Sequence, residues 1–154
     1  MTQTSDHQST MTTDALDDGP ILVVDDDDSL RELCSRVLMA QGHEVHTASL
    51  AEEALALAAQ NNYRVVLLDL KMPGMDGIEC LRRLKAQGCR ADIVMITGYG
   101  NVPTAVEAMK VGARDFIEKP FRPDDLHAML QDILARQRQT ISEDPIVAFI
   151  QTNA

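Results

Sequence analysis

Four consecutive carboxylates, Asp25, Asp26, Asp27 and Asp28, follow directly on the apolar run "ILVV" at 21–24. They repel one another, so gathering them behind a buried strand calls for a bound cation, a helix N-terminus, or both. Other polar residues stand at the same place relative to an apolar run. Asp69 closes "VVLLD", Thr97 closes "IVMIT" and Lys119 closes "FIEK". With Asp25 and Asp26 these make three acids, a hydroxyl and an ammonium. Hard carboxylate oxygens suit Mg²⁺, which binds few protein groups and keeps its waters. A carboxylate is also a nucleophile toward phosphorus, giving an aspartyl phosphate. Phosphoryl transfer needs positioning and charge neutralisation above all, for which Mg²⁺, a lysine and a hydroxyl are natural helpers. Asp27 and Asp28 read differently, as acids at the N-terminus of a helix starting near Ser29.

The elements that must position this set are legible as alternation. Runs of strand length occur at 21–24, "EVHTA" (44–48), "RVVLLDL" (64–70), "DIVMIT" (92–97) and "DFIEKP" (115–120). Several are apolar on consecutive positions, as parallel strands covered on both faces should be. Between them lie segments of helical period. "SLRELCSRVLMAQG" puts Leu30, Leu33, Val37 and Leu38 on one face and ends at Gly42. "SLAEEALALAAQNN" starts with Ser49 as N-cap and Glu52 three residues on, a capping-box pattern. "GIECLRRLKAQG" ends at Gly88, and "VPTAVEAMKVGA" carries Pro103 in its first turn and stops at Gly112. "PDDLHAMLQDILARQRQ" starts at Pro123 with Leu126, Met129, Leu130 and Ile133 on one face. Five strands alternating with five helices predict a doubly wound α/β sheet. In such a sheet ligands bind beyond the carboxyl ends of the strands, where the polar residues above fall.

Composition narrows the function classes. The 154 residues suffice for one compact domain plus tails, and the absence of Trp makes the core aliphatic. A net charge of −10 argues against direct nucleic-acid binding by this chain. No apolar run reaches membrane-spanning length, and the first twenty residues lack the features of a secretory signal. Cys34, Cys80 and Cys89 lack zinc-site spacing and read as small apolar residues in a reducing cytosol, so a cytoplasmic location is expected. Residues 1–19 read as a flexible leader and 20–138 as the domain. The stretch 139–154, with a turn at Pro145 and an apolar patch at 146–150, reads as a linker opening a truncated output domain, or as a tail that folds back or self-associates.

The motifs "ILVVDDDDSLR", "VVLLDLKMPGMDG", "IVMITGYG" and "DFIEKPF" strongly resemble the CheY-like receiver domains of bacterial two-component response regulators. The resemblance covers 20–138, with the order and spacing of the motifs intact. Residues 97–121 most resemble receivers of nitrogen-fixation, nitrogen-assimilation and dicarboxylate-transport regulators. It implies a flavodoxin-like (βα)5 sandwich with a five-stranded parallel sheet in the order 2-1-3-4-5. It implies Asp69 as phosphoacceptor from a sensor histidine kinase or phosphotransfer protein. It implies Mg²⁺ held by Asp25, Asp26, Asp69 and the backbone carbonyl of Lys71. Thr97 would hydrogen-bond one phosphoryl oxygen, Lys119 would pair with another, and Phe116 would be the switch aromatic. Phe116 stands where many relatives carry Tyr, so the hydroxyl is lost. The Lys119–Pro120 bond would be cis. Kinase recognition would lie on the first helix, around Leu30 to Leu38. The fourth helix, fifth strand and fifth helix would form the output surface, leading to dimerisation or control of a transcriptional module. Tyr99, beside the site, would tune access of water or be a surface aromatic.

Two other classes compete. Mg²⁺-dependent phosphohydrolases use an aspartyl nucleophile on a similar sheet, but usually with a second acid two residues on, where this chain has Lys71. A phosphorylation-independent pseudo-receiver normally lacks one of the acids, the threonine or the lysine, and none is missing here. The expectation is a self-catalysing switch, not a metabolic enzyme.

Overall fold

A computed structural model describes residues 19–98 and 101–142. The strands are β1 (Ile21–Val24), β2 (Val45–Ala48), β3 (Val65–Asp69), β4 (Asp92–Thr97) and β5 (Asp115–Glu118). The helices are α1 (Asp28–Ala40), α2 (Ala51–Gln60), α3 (Gly77–Ala86), α4 (Val102–Val111) and α5 (Pro123–Ser142). All strand pairs are parallel, in the order β2-β1-β3-β4-β5 that the resemblance implies. The reversal of direction falls between β1 and β3, where Val24 pairs with Leu68 and leaves Asp25 and Asp69 at one rim.

The apolar runs are continuous because both faces of the sheet are covered. Leu22, Val24, Val66, Leu68, Ile93 and Met95 share one buried cluster with Ala51 and Ala54 of α2, Cys80, Leu81 and Leu84 of α3, and Ala108 of α4. Their strand neighbours Ile21, Val23, Val65, Leu67, Val94 and Ile96 are buried too. On that side α1, with Cys34 and Leu38 buried, packs against β1 and β2. A fully buried aliphatic side chain contributes about 1.5–3 kcal/mol, so this core holds the rim rigid beneath the polar residues.

Helix ends follow local chemistry, with two departures. Asp27 is the N-cap of α1, its carboxylate accepting from Ser29 N and Leu30 N. The turn after α1 places Gly42 at φ +91, a left-handed conformation that favours glycine. Asp76 caps α3, accepting from Glu79 N at 2.8 Å. The capping box expected at Ser49 and Glu52 does not form. α2 starts at Ala51 after Leu50, and the Glu53 carboxylate accepts from Ser49 N at 2.9 Å. The helix begins later because Ala48 still belongs to β2, where its carbonyl accepts from Asp25 N. α5 also outlasts the expected break near Arg138, running to Ser142, since no Gly or Pro interrupts 124–144.

Gly19–Leu126 forms one compact unit and carries the whole sheet; the rest of α5 belongs to a second, and its Leu130, Ile133 and Leu134 are buried. Among the described residues Cys34, Cys80 and Cys89 are free thiols, two buried and one half-buried. Burial pushes Cys34 and Cys80 up to about 12, making them unreactive packing residues. Among the described residues no helix is long and apolar enough to cross a membrane. The readings of 1–18, of Tyr99 and of the Pro145 turn with its apolar patch fall outside the described residues.

Candidate functional site

The ends of β1, β3 and β5 bring four predicted residues together. Asp25 is fully buried; Asp69 is 4% exposed. Asp26 is exposed, and one carboxylate oxygen from each of Asp25, Asp26 and Asp69 lies within 4.8 Å of the others. Lys119, carried past β5, brings its Nζ to 3.5 Å from Asp25 Oδ2 and 3.7 Å from Asp69 Oδ1. The Lys119–Pro120 peptide is cis.

Each acid is held differently. Asp25 Oδ1 accepts from Asp27 N at 2.8 Å, but Asp25 Oδ2 is buried with no hydrogen-bond donor, its closest cationic partner being the lysine. At 3.5 Å the Lys119 contact is an ion pair, longer than an ordinary N–H···O hydrogen bond. Asp69 Oδ1 accepts a long bond from Lys71 N, 3.3 Å. Burial pushes the Asp69 carboxyl up to about 7, and the Asp25 charge adds to the rise. Lys119 and the Lys71 N–H pull the other way. The cluster is therefore under-neutralised: one half-exposed ammonium faces two buried acids and a third exposed one.

An undonated, buried carboxylate oxygen in a ring of hard oxygens fits a divalent cation such as Mg²⁺. The three acids could hold one, and the extra positive charge would relieve their repulsion. Lys71 itself is exposed.

Thr97 is fully buried at the end of β4. Its carbonyl accepts from Lys119 N at 2.7 Å, tying β4 to the lysine. Its hydroxyl, however, donates to Gly98 O at 3.3 Å and to no acid. Phe116, opposite Met95 in β5, is half-buried and packed against the core cluster. Among the described residues neither side chain bonds to the acidic ring.

Two further residues shape the site, of which Arg31 escaped the sequence reading. Gly77, the first residue of α3, sits so close to β3 that a Cβ would stand 2.5 Å from Asp69 O and 2.7 Å from Leu70 Cα, while its N–H donates to Leu70 O. The stretch "MPGMDG" reads as a tight loop using Pro73, Gly74 and Gly77 ahead of the helix; the close approach to β3 is what the structure adds. Arg31 reaches back from α1 to the acidic loop, donating to Asp25 O at 2.8 Å and Asp28 Oδ1 at 2.6 Å. Asp28 is therefore the partner of an arginine as well as an acid at a helix start. The Asp28–Arg31 spacing of three was the available signal.

A family model described as "Response regulator receiver domain" matches residues 21–131. The transcriptional regulatory protein FixJ of Bradyrhizobium diazoefficiens is 42% identical over 130 residues, 84% of this chain and 63% of that protein. The regulatory protein AtoC of Escherichia coli is 41% identical over 117 residues, 76% of this chain and 25% of that protein. The chain thus spans less than two thirds of these curated relatives. Among solved structures, the receiver domain of NtrX from Brucella abortus matches with a TM-score of 0.71 and 43% identity, covering 75% of this chain and 98% of that one. A CheY-like receiver domain protein from Methanospirillum hungatei matches at 0.73 and 32%, covering 80% and 98%.

Proposed function

The chain belongs to the response regulator receiver domain family, and from that premise we propose that it is a phosphoacceptor switch with Asp69 as the accepting residue. The observation that carries this reading is the convergence of Asp25, Asp26 and Asp69 with Lys119 at the carboxyl rim of the sheet, with one Asp25 oxygen lacking a donor. An Asp69 oxygen attacks the phosphorus of a phosphohistidine on a sensor kinase or phosphotransfer protein. The O–P bond forms as the P–N bond breaks, and the electron pair stays on the imidazole nitrogen. Asp25, Asp26, Asp69 and the Lys71 carbonyl would hold Mg²⁺, which when bound supplies charge against carboxylate repulsion and the negative charge of the transferred group.

The chain's own residues do the rest. Lys119, already between Asp25 and Asp69, pairs with a phosphoryl oxygen as a point charge. Thr97 trades its long bond to Gly98 for a phosphoryl oxygen, and Phe116 turns into the space vacated. A phosphoryl group adds about two negative charges, enough to bias a two-state element without a new fold. The element biased is the surface of α4, β5 and the first turn of α5, where Val106 and Met109 are exposed apolar residues suited to a homodimer contact. FixJ is a transcriptional regulatory protein, which supports a transcriptional output, exercised through other segments rather than by nucleic-acid contact from this acidic chain. The domain is taken as 20–138, between a leader at 1–19 and a linker at 139–154, in a cytoplasmic protein.

Intact mass after incubation with Mg²⁺ and a small phosphoryl donor, with size exclusion alongside, tests the reading. One added phosphoryl, lost in Asp69→Asn and in EDTA, is expected, with a shift toward dimer. No modification under any donor would overturn it.

A further inference from the structure

We infer that Arg31 is a positioning residue for the cation site, fixing the Asp25–Asp28 turn so that the Asp25 and Asp26 carboxylates face Asp69. Its guanidinium forks between the Asp25 carbonyl at 2.8 Å and the Asp28 carboxylate at 2.6 Å. Its side chain is 21% exposed, whereas that of Asp28 is 89% exposed. The anchored end is therefore the buried Asp25 backbone, and Asp28 orients the fork from outside. Two further bonds close the same turn, Asp27 N to Asp25 Oδ1 at 2.8 Å and Arg31 N to Asp27 O at 2.9 Å, while Asp25 N to Ala48 O at 3.1 Å ties its start to β2. Of these, only the guanidinium ties the start of the turn to its end through a side chain on the helix. A planar fork spans two acceptors at fixed separation, and a lysine ammonium cannot reproduce that geometry.

Electrostatics and positioning predict opposite signs here. Arg31 is a positive charge beside an acidic ring, so as a charge alone it weakens cation binding, and its removal should tighten it. As a positioning residue it strengthens binding, and its removal should weaken it. Groups that orient metal ligands typically cost about 10–100-fold in affinity when lost, more than one partly screened charge supplies.

This inference rests on the cation-dependent reading of the acidic ring. The test is Mg²⁺ titration by calorimetry on the wild-type chain, Arg31→Ala and Arg31→Lys, each checked for its thermal midpoint. Exchange protection of the Asp27 amide is followed in parallel, since a turn that loosens must expose that N–H. About 10-fold weaker binding in both variants, with lower Asp27 protection, is the expected result. Tighter binding in Arg31→Ala with an unchanged Arg31→Lys would overturn it and leave Arg31 as a bystander charge. Should Arg31→Ala fail to fold, Arg31→Lys keeps the charge and decides alone: weaker binding supports the inference, unchanged binding sinks it. Wild-type protein that binds no Mg²⁺ refutes the cation reading itself, a different failure from equal binding by all three chains.

Discussion

Lys119 places its ammonium 3.5 Å from Asp25 Oδ2, an oxygen that is buried and receives no hydrogen bond. The lysine thus occupies the role of a cation in the resting protein, and it would compete with a divalent ion for the same carboxylates. Removing it leaves the buried carboxylates of Asp25 and Asp69 facing each other without a cation between them. Lys119→Ala should therefore lower metal-free stability by about 1–3 kcal/mol, less than a fully enclosed pair because the lysine side chain is 30% exposed. It should also tighten Mg²⁺ binding, so that added Mg²⁺ raises the melting temperature more in the variant than in the parent. Thermal melts with and without Mg²⁺ check both signs, and a variant with weaker Mg²⁺ stabilisation would refute the competition.

The raised Asp69 carboxyl gives a pH dependence of defined direction. With the folded value pushed up to about 7, chiefly by burial, the native state holds a proton that the unfolded chain has already lost. From this group, stability is favoured at low pH and declines as pH rises from about 4 to about 7 in the absence of metal. Mg²⁺ must displace that proton, so its apparent affinity should weaken as pH falls below about 7. Calorimetric titrations across this range should show the trend in the parent and a flatter profile in Asp69→Asn. An affinity that strengthens on acidification would contradict the assignment.

Gly77 allows α3 to approach the carbonyl of Asp69 at a distance no side chain tolerates. Because the obstructing atoms are backbone, Gly77→Ala must displace either β3 or the helix start. The cost expected is about 1–3 kcal/mol, as for overpacking. Phosphoryl uptake should fall more than the lost stability explains, since the displaced strand end carries the acceptor. Denaturant unfolding beside the rate of labelling by a small phosphoryl donor separates the two effects.

Among the described residues Thr97 makes one long side-chain bond, to Gly98 O at 3.3 Å, despite complete burial. Its hydroxyl contributes little to the resting fold, so Thr97→Val should change stability by less than about 1 kcal/mol. The same substitution should leave Mg²⁺ binding intact while uncoupling phosphorylation from any change of oligomeric state. Size exclusion of the labelled variant reads this out; dimerisation equal to the parent's would remove Thr97 from the switch.

The sequence by itself determined the layered architecture, the strand order through its family motifs, and the placement of Asp25, Asp69, Thr97 and Lys119 at strand ends. Continuous apolar runs and period-3.6 patterns are local properties, and the strength of the runs left little for tertiary context to override. The Ser49–Glu52 capping box failed for a non-local reason: Ala48 is held in the sheet by Asp25 N, which delays the start of α2. What only the tertiary structure decided was distance and burial. That Lys119 lies within ion-pair reach of both Asp25 and Asp69, that one Asp25 oxygen lacks a donor, and that Gly77 presses on the Asp69 carbonyl all depend on segments far apart in the chain. The fork of Arg31 is the intermediate case. Its spacing from Asp28 is written locally, but its grip on the Asp25 carbonyl exists only because α1 packs against β1.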